Sequence, residues 1–150
     1  MNEIYGDALE LIKTQQFNCL CITTNGTIKG NGECVMGRGI ALTIKQRIPQ
    51  FPLVLGNMIT AHGNHVYRFP IKSCVLFSFP VKHNWYEEAD PQLIVRSAKE
   101  LVALLKPNEV VLLPRPGCGN GKLSWADVKP LLEPILTEQV FIVHWKKEVR

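Results

Sequence analysis

Residues 109–113 read Glu-Val-Val-Leu-Leu, four consecutive apolar side chains with no polar alternation. A strand with one solvated face alternates apolar and polar residues, so this run belongs to a sheet covered on both faces. Residues 20–24 (LCITT) have the same character and end at Asn25-Gly26, a strong turn signal. Residues 65–69 and 74–79 are two more strand candidates, each followed closely by a proline, and residues 140–145 form a last one.

Helical patterns stand between these runs. Residues 36–48 place Ile40, Ile44 and Ile48 on one face and stop at Pro49. Residues 91–105 carry Leu93, Ile94, Ser97 and Leu101 at helical spacing, with Asp90 as N-cap and Pro91 at the first turn. Ser124 with Asp127 makes a capping signature for a helix running to Leu136. Such alternation argues for a three-layer α/β/α architecture. A length of 150 residues makes it a single domain, residues 1–150.

Composition narrows the function classes. A hydrophobic share of 46% and a charged share of 20% exclude a disordered or collagen-like chain. Seventeen Lys and Arg against 13 Asp and Glu give +4, compatible with anionic ligands but short of a nucleic-acid-binding tail. The short Lys146, Lys147, Arg150 cluster is read as a solvated terminus. The five cysteines are an odd number with no CxxC pair, and no histidines stand at ligand spacing, so neither a closed disulfide framework nor a zinc site is expected. The opening MNEIYGDALELIK is acidic where a signal peptide is basic. No stretch approaches the ~18–20 apolar residues that span a bilayer. A cytoplasmic, reduced protein without membrane contact, metal or cofactor is expected.

Three segments carry chemistry. Met36-Gly37-Arg38-Gly39-Ile40-Ala41 opens one helix, and Pro114-Arg115-Pro116-Gly117-Cys118-Gly119-Asn120-Gly121 joins a buried strand to another. Glycines let a backbone turn sharply and bring its N–H groups to a ligand, and a helix N-terminus favours an anion. Two such loops at one sheet edge suit a pyrophosphate. Neither matches the P-loop or the dinucleotide fingerprint. The third segment, Phe79-Pro80-Val81-Lys82-His83-Asn84-Trp85, lies just past a strand's C-terminal end, where open α/β sheets place ligands. Lys82 there offers a nucleophile or a fixed cation, Trp85 a stacking plane, and His83 an acid or base near neutral pH.

Together these segments resemble the macrodomain family, which binds ADP-ribose. The resemblance starts at Ile4-Tyr5-Gly6-Asp7 and runs through Thr23-Thr24-Asn25-Gly26, the Met36 to Ala41 loop and Phe79-Pro80-Val81-Lys82. It ends in the segment from Leu113 to Trp125, where a Gly-Cys-Gly loop precedes Leu123-Ser124-Trp125. It is nearest to the branch of terminal ADP-ribose protein glycohydrolases and of antitoxins that remove ADP-ribose from thymidine in DNA, including small stand-alone proteins of bacteria and phages. The resemblance implies a central mixed sheet and roles for particular residues. Thr24 would belong to the site, Met36, Gly37, Gly39 and Ile40 would hold one phosphate, and Gly117, Cys118, Gly119, Asn120 and Gly121 the other phosphate and the distal ribose. Asn25 would bond the distal ribose, Lys82 would be catalytic, and Trp85 would match an aromatic of the DNA-directed members.

Departures from the pattern are also informative. Asn120-Gly121 stands where the protein-directed enzymes carry an acid, and Asp127 is read as a capping residue. Mechanisms that need a loop carboxylate are therefore disfavoured, which tilts the expected substrate towards ADP-ribosylated DNA. The resemblance implies a monomeric ADP-ribosyl hydrolase. A non-catalytic ADP-ribose reader and an ADP-ribose-1″-phosphate phosphatase are the alternatives, and Lys82 stays open between nucleophile and cation.

Overall fold

The structure, a computed structural model, describes residues 1–72 and 74–145. Its elements run β1 (Asn2–Tyr5), α1 (Ala8–Leu11), β2 (Cys19–Thr24), α2 (Gly39–Arg47), α3 (Phe51–His62), β3 (Arg68–Ile71), β4 (Cys74–Pro80), α4 (Pro91–Leu104), β5 (Val111–Pro114), α5 (Trp125–Leu132) and β6 (Val140–His144). The strands form one mixed sheet in the order β1-β6-β5-β2-β4-β3. Strands β1, β6, β5, β2 and β4 are parallel, and β3 alone runs antiparallel, on β4.

Strand parity builds the two cores. On β2, Cys19 and Cys21 face one side, where Phe77, Phe79, Val111 and Leu113 pack under α4 and α5. Leu20, Ile22, Leu76 and Leu112 face the other side, under α2 and α3. Successive side chains of a strand point to opposite faces, so a run apolar at every position is buried twice. The expected three-layer α/β/α arrangement with a central mixed sheet is the observed one.

Several element bounds differ from those expected, each for a local reason. Helix α2 begins at Gly39 rather than residue 36, because Arg38 is extended (φ −146°, ψ 157°) and Met36 is drawn into the core. Helix α5 ends at Leu132 instead of reaching Leu136; Glu133, its C-cap, is still helical (φ −54°, ψ −40°), but Pro134 follows and has no N–H to continue the hydrogen-bond ladder. Strand β3 lies at Arg68–Ile71 rather than 65–69 and includes Pro70, tolerated because β3 is an edge strand. Helix α3 is not among the expected elements, and it contains a proline, Pro52, and a glycine, Gly56, both poor helix formers. Pro52 sits in the first turn, where its missing N–H costs nothing. At Gly56 the backbone of Gly32 crosses so closely that a Cβ would stand 2.0 Å from its carbonyl oxygen. That crossing belongs to a short turn in residues 26–34, closed by an Ile28–Cys34 bridge. The Lys146, Lys147, Arg150 cluster lies outside the described residues.

Candidate functional site

The five parallel strands end on one edge of the sheet, and a cleft of about 1440 Å³ opens along it. All thirteen site candidates line this cleft: Lys82 and Trp85, Thr24 and Asn25, the first-loop residues Met36, Gly37, Gly39 and Ile40, and Gly117 to Gly121 of the second loop. Loops following parallel strands meet at one edge by topology, so residues as far apart in sequence as Thr24 and Gly121 are assembled without long connections.

The two glycine loops face each other. An atom at the Cβ position of Gly39, where φ is +58°, would lie 3.7 Å from Asn120 Nδ2. Gly37 and Gly119 have open space at their Cβ positions. Gly117 and Gly121 do not: a Cβ on Gly121 would stand 2.6 Å from the Gly117 carbonyl, and one on Gly117 2.7 Å from Ile94 Cδ1. The second loop is also pinned from outside, since the Ala89 N–H donates to the Gly121 carbonyl at 3.0 Å. Two glycines thus pack the second loop, while Gly119 there and Gly37 in the first loop leave space for a ligand. Helices α2 and α5 start beside these loops, and the Ser124 hydroxyl caps α5 by accepting the Asp127 N–H.

Thr24 closes β2, and its carbonyl accepts from the N–H groups of Val81 and Lys82 at 2.9 and 3.4 Å. Its hydroxyl is buried and has no hydrogen-bond partner. The Asn25 amide is engaged locally: Nδ2 donates to the Val35 carbonyl at 3.0 Å and Oδ1 accepts the Thr27 N–H at 3.0 Å. That leaves one amide hydrogen and one lone pair for a ligand. Met36 has its side chain in the core, so it contributes backbone to the wall.

Lys82 is half-buried on the wall that follows β4. Its Nζ donates to the Trp85 carbonyl at 3.3 Å, and its own carbonyl accepts from Asn64 Nδ2 at 3.1 Å. Burial, then the like charges of Arg38 and Lys122, holds its pKa below the usual lysine range. Arg115, the cation of the second loop, lies over the Trp125 ring at 5.2 Å, towards the α5 side of the cleft. His83 pairs with Asp90 at 2.8 Å, which anchors the loop to the start of α4 rather than presenting a proton to the cleft. Trp85 is 50% and Tyr86 69% exposed, and their rings meet edge to face at 5.8 Å.

Cys118 Sγ points to the Pro116 carbonyl at 3.5 Å, and burial pushes its thiol up to about 11. Residues outside the thirteen candidates also line the cleft: Asp7, Glu87, Glu88, Arg115, His144 and Trp145. Asp7 had a signal in the Gly-Asp turn after β1, and its side chain caps α1. The others became neighbours only through folding. Among the described residues no group of three His, Cys, Asp or Glu side chains is placed to hold a metal, and no helix is long and apolar enough to cross a membrane.

No protein-family model matches the chain. A DNA ADP-ribosyl glycohydrolase from Thermus aquaticus is 28% identical over 123 residues, with 76% of this chain covered. This chain spans about a third of that protein's length (34%). Among solved structures, the DarTG protein of Thermosipho africanus in complex with ADP-ribose superposes with a TM-score of 0.79 at 21% identity, covering 100% of this chain and 43% of that one. The macrodomain of Thermus aquaticus DarG gives 0.77 at 23% identity, with 97% of each chain covered. The macrodomain of Mycobacterium tuberculosis DarG gives 0.76 at 22%, with 95% of each covered.

Proposed function

We propose that this chain, whose fold is that of a macrodomain, is an ADP-ribosyl glycohydrolase that frees ADP-ribose from a nucleobase in DNA, with Lys82 as its catalytic residue. The observation that supports this most is the convergence of two glycine loops and a lysine of lowered pKa on one cleft. The likeness to a DNA ADP-ribosyl glycohydrolase supports the choice of bond, and the exposed Trp85 and Tyr86 rings support a nucleic-acid substrate. A base lifted out of its stack finds an aromatic face there, worth about 1–3 kcal/mol per stacked base.

The diphosphate lies between the Gly37 to Gly39 and Gly117 to Gly121 loops, held by main-chain N–H groups and the starts of α2 and α5. This puts the distal ribose towards Asn25 and Lys82. Breaking the bond at the anomeric carbon passes through an oxocarbenium-like state. The leaving base carries the electron pair away. Lys82, whose hydrogen bond to a carbonyl suits an ammonium, supplies the fixed cation that stabilises it. An imide nitrogen leaves as an anion without a proton from an acid, so Asn120 in place of an acidic loop residue is no obstacle. Water then adds to the anomeric carbon, and the proton it loses neutralises the departed base anion.

The test offers wild type and Lys82→Ala an ADP-ribosylated single-stranded DNA, an ADP-ribosyl-glutamate protein and ADP-ribose-1″-phosphate in parallel, with calorimetry on free ADP-ribose. Turnover of the DNA is expected, with kcat reduced about 10²–10⁴-fold in Lys82→Ala and Kd for ADP-ribose nearly unchanged. Wild-type turnover by Lys82→Ala would remove Lys82 from the mechanism. Binding without turnover of any substrate would make the protein a reader.

A further inference from the structure

We propose that Thr27, which lies outside the ligand cleft, is a positioning residue for Lys82, acting through the peptide of Trp85. The inference rests on the reading of Lys82 as the catalytic residue. The acceptor of the Lys82 ammonium is the Trp85 carbonyl, at 3.3 Å. Trp85 belongs to an exposed loop, and an exposed loop holds a carbonyl in place only where something holds the loop.

Thr27 supplies that hold. Its hydroxyl accepts the Trp85 N–H at 3.0 Å and donates to Asn84 Oδ1 at 3.4 Å. One residue earlier, the Gly26 N–H donates to the His83 carbonyl at 3.1 Å. A Cβ on Gly26 would stand 2.8 Å from that carbonyl, so the two segments are in direct contact. Thr27 is in turn held rigidly, because its N–H donates to Asn25 Oδ1 and its carbonyl accepts the Val35 N–H at 3.0 Å. The turn after β2, the start of the first glycine loop and the Lys82 loop therefore meet at one threonine. A hydroxyl is the side-chain group that can accept from one peptide and donate to the next side chain at once. The 26–34 turn is itself pressed onto α3 at Gly56, so the anchor is backed by a packed helix rather than by solvent.

The experiment compares wild type, Thr27→Val, Thr27→Ser and Lys82→Ala, together with the Thr27→Val/Lys82→Ala double variant. Valine keeps the shape and removes the hydroxyl, while serine keeps the hydroxyl. The Trp85 N–H freed by valine stays within reach of water, so the fold should persist, and thermal melting checks this. Amide exchange at Trp85, read by NMR without any substrate, should quicken about tenfold or more in Thr27→Val and return to wild-type rates in Thr27→Ser. With the ADP-ribosylated DNA, Thr27→Val should lower kcat about 10–100-fold at unchanged Kd for ADP-ribose, as expected when a reacting group is displaced by about an ångström. Thr27→Ser should restore it. The Thr27→Val loss should vanish in the Lys82→Ala background, because the residue acts through the lysine. Unchanged Trp85 exchange in Thr27→Val would overturn the proposal, as would a full Thr27→Val loss persisting beside Lys82→Ala. Failure of the Lys82 reading shows separately, as wild-type kcat in Lys82→Ala alone. That result removes the positioning role with it, even if Trp85 loses protection.

Discussion

Lys82 Nζ lies 3.3 Å from the Trp85 carbonyl oxygen, a hydrogen bond that closes the loop on itself at the wall of the cleft. The bond favours the charged lysine, whereas burial and the nearby charges of Arg38 and Lys122 oppose it, and the opposing effects prevail. If Lys82 works as the ammonium, its being held below the usual lysine range would give the proposed reaction a pH limit of its own.

That limit can be measured. If the ammonium is the working form, kcat falls as pH rises through the Lys82 pKa, earlier than the ~10.4 of an unperturbed lysine. Lys122→Gln removes a like charge, which favours the ammonium, so the descending limb should move to higher pH. Lys82→Arg keeps a positive charge that does not titrate, so any activity it retains should lose the limb altogether. A rate that instead climbs with pH through the same pKa would assign Lys82 as the nucleophile.

The glycines of the second loop should separate into two classes. Gly119 has open space at its Cβ position, so Gly119→Glu should fold normally and abolish ADP-ribose binding by placing a carboxylate at the proposed phosphate position. Gly121→Ala should do the opposite. Its methyl would meet the Gly117 carbonyl at 2.6 Å and Ala89 Cβ at 2.7 Å, destabilising the fold by about 1–3 kcal/mol. Calorimetry and urea denaturation read the two effects independently. A stable Gly121→Ala, or a Gly119→Glu that still binds ADP-ribose, would contradict the packing described here.

How much of this was legible in the sequence depended on range. Strands β2 and β5 were plain because burial on both faces leaves no polar alternation, and α4 because Leu93, Ile94, Ser97 and Leu101 repeat at helical spacing around a cap. Helix α3 was hidden by Gly56, whose reason is a backbone crossing from residues 32–34 that no local pattern records. The glycine loops and Lys82 were visible as motifs. The placement of Arg38 and Lys122 around Lys82, and the anchoring of Trp85 by Thr27, were not. Both arise where loops far apart in sequence reach the same sheet edge, and the topology alone decides that.

Cys118 sits in the middle of the second glycine loop, where a thiolate would be a credible nucleophile. Burial pushes its thiol up to about 11, leaving roughly one thiolate in ten thousand near pH 7. Its contact with the Pro116 carbonyl also suits a protonated thiol. Cys118→Ala should therefore retain at least about a tenth of wild-type turnover, and alkylation by iodoacetamide at neutral pH should be slow. A loss beyond about a thousandfold with ADP-ribose binding intact would transfer the chemistry from Lys82 to Cys118.

Arg68 and Glu109 form the strongest ion pair away from the cleft. Nη1 and Nη2 donate to Oε1 and Oε2, both at 2.7 Å, and the Lys106 N–H adds a third bond to the carboxylate at 2.8 Å. The Glu109 side chain is only 7% exposed, and the guanidinium, with that N–H, brings its pKa down to about 2. A carboxyl near 4.3 in the unfolded chain and near 2 in the native one contributes on the order of 3 kcal/mol at neutral pH. The contribution is complete above the unfolded value and disappears as pH falls towards the native one. Glu109→Gln lacks this charge at every pH and should be clearly less stable than wild type near pH 7, since a half-buried guanidinium loses its partner. Below about pH 3 the wild-type carboxyl is becoming protonated, so the gap between the two should narrow by most of that amount. Urea unfolding of both proteins at about pH 7 and pH 2.5 measures the gap, and an equal gap at the two pH values would show that Arg68 does not hold Glu109 ionised.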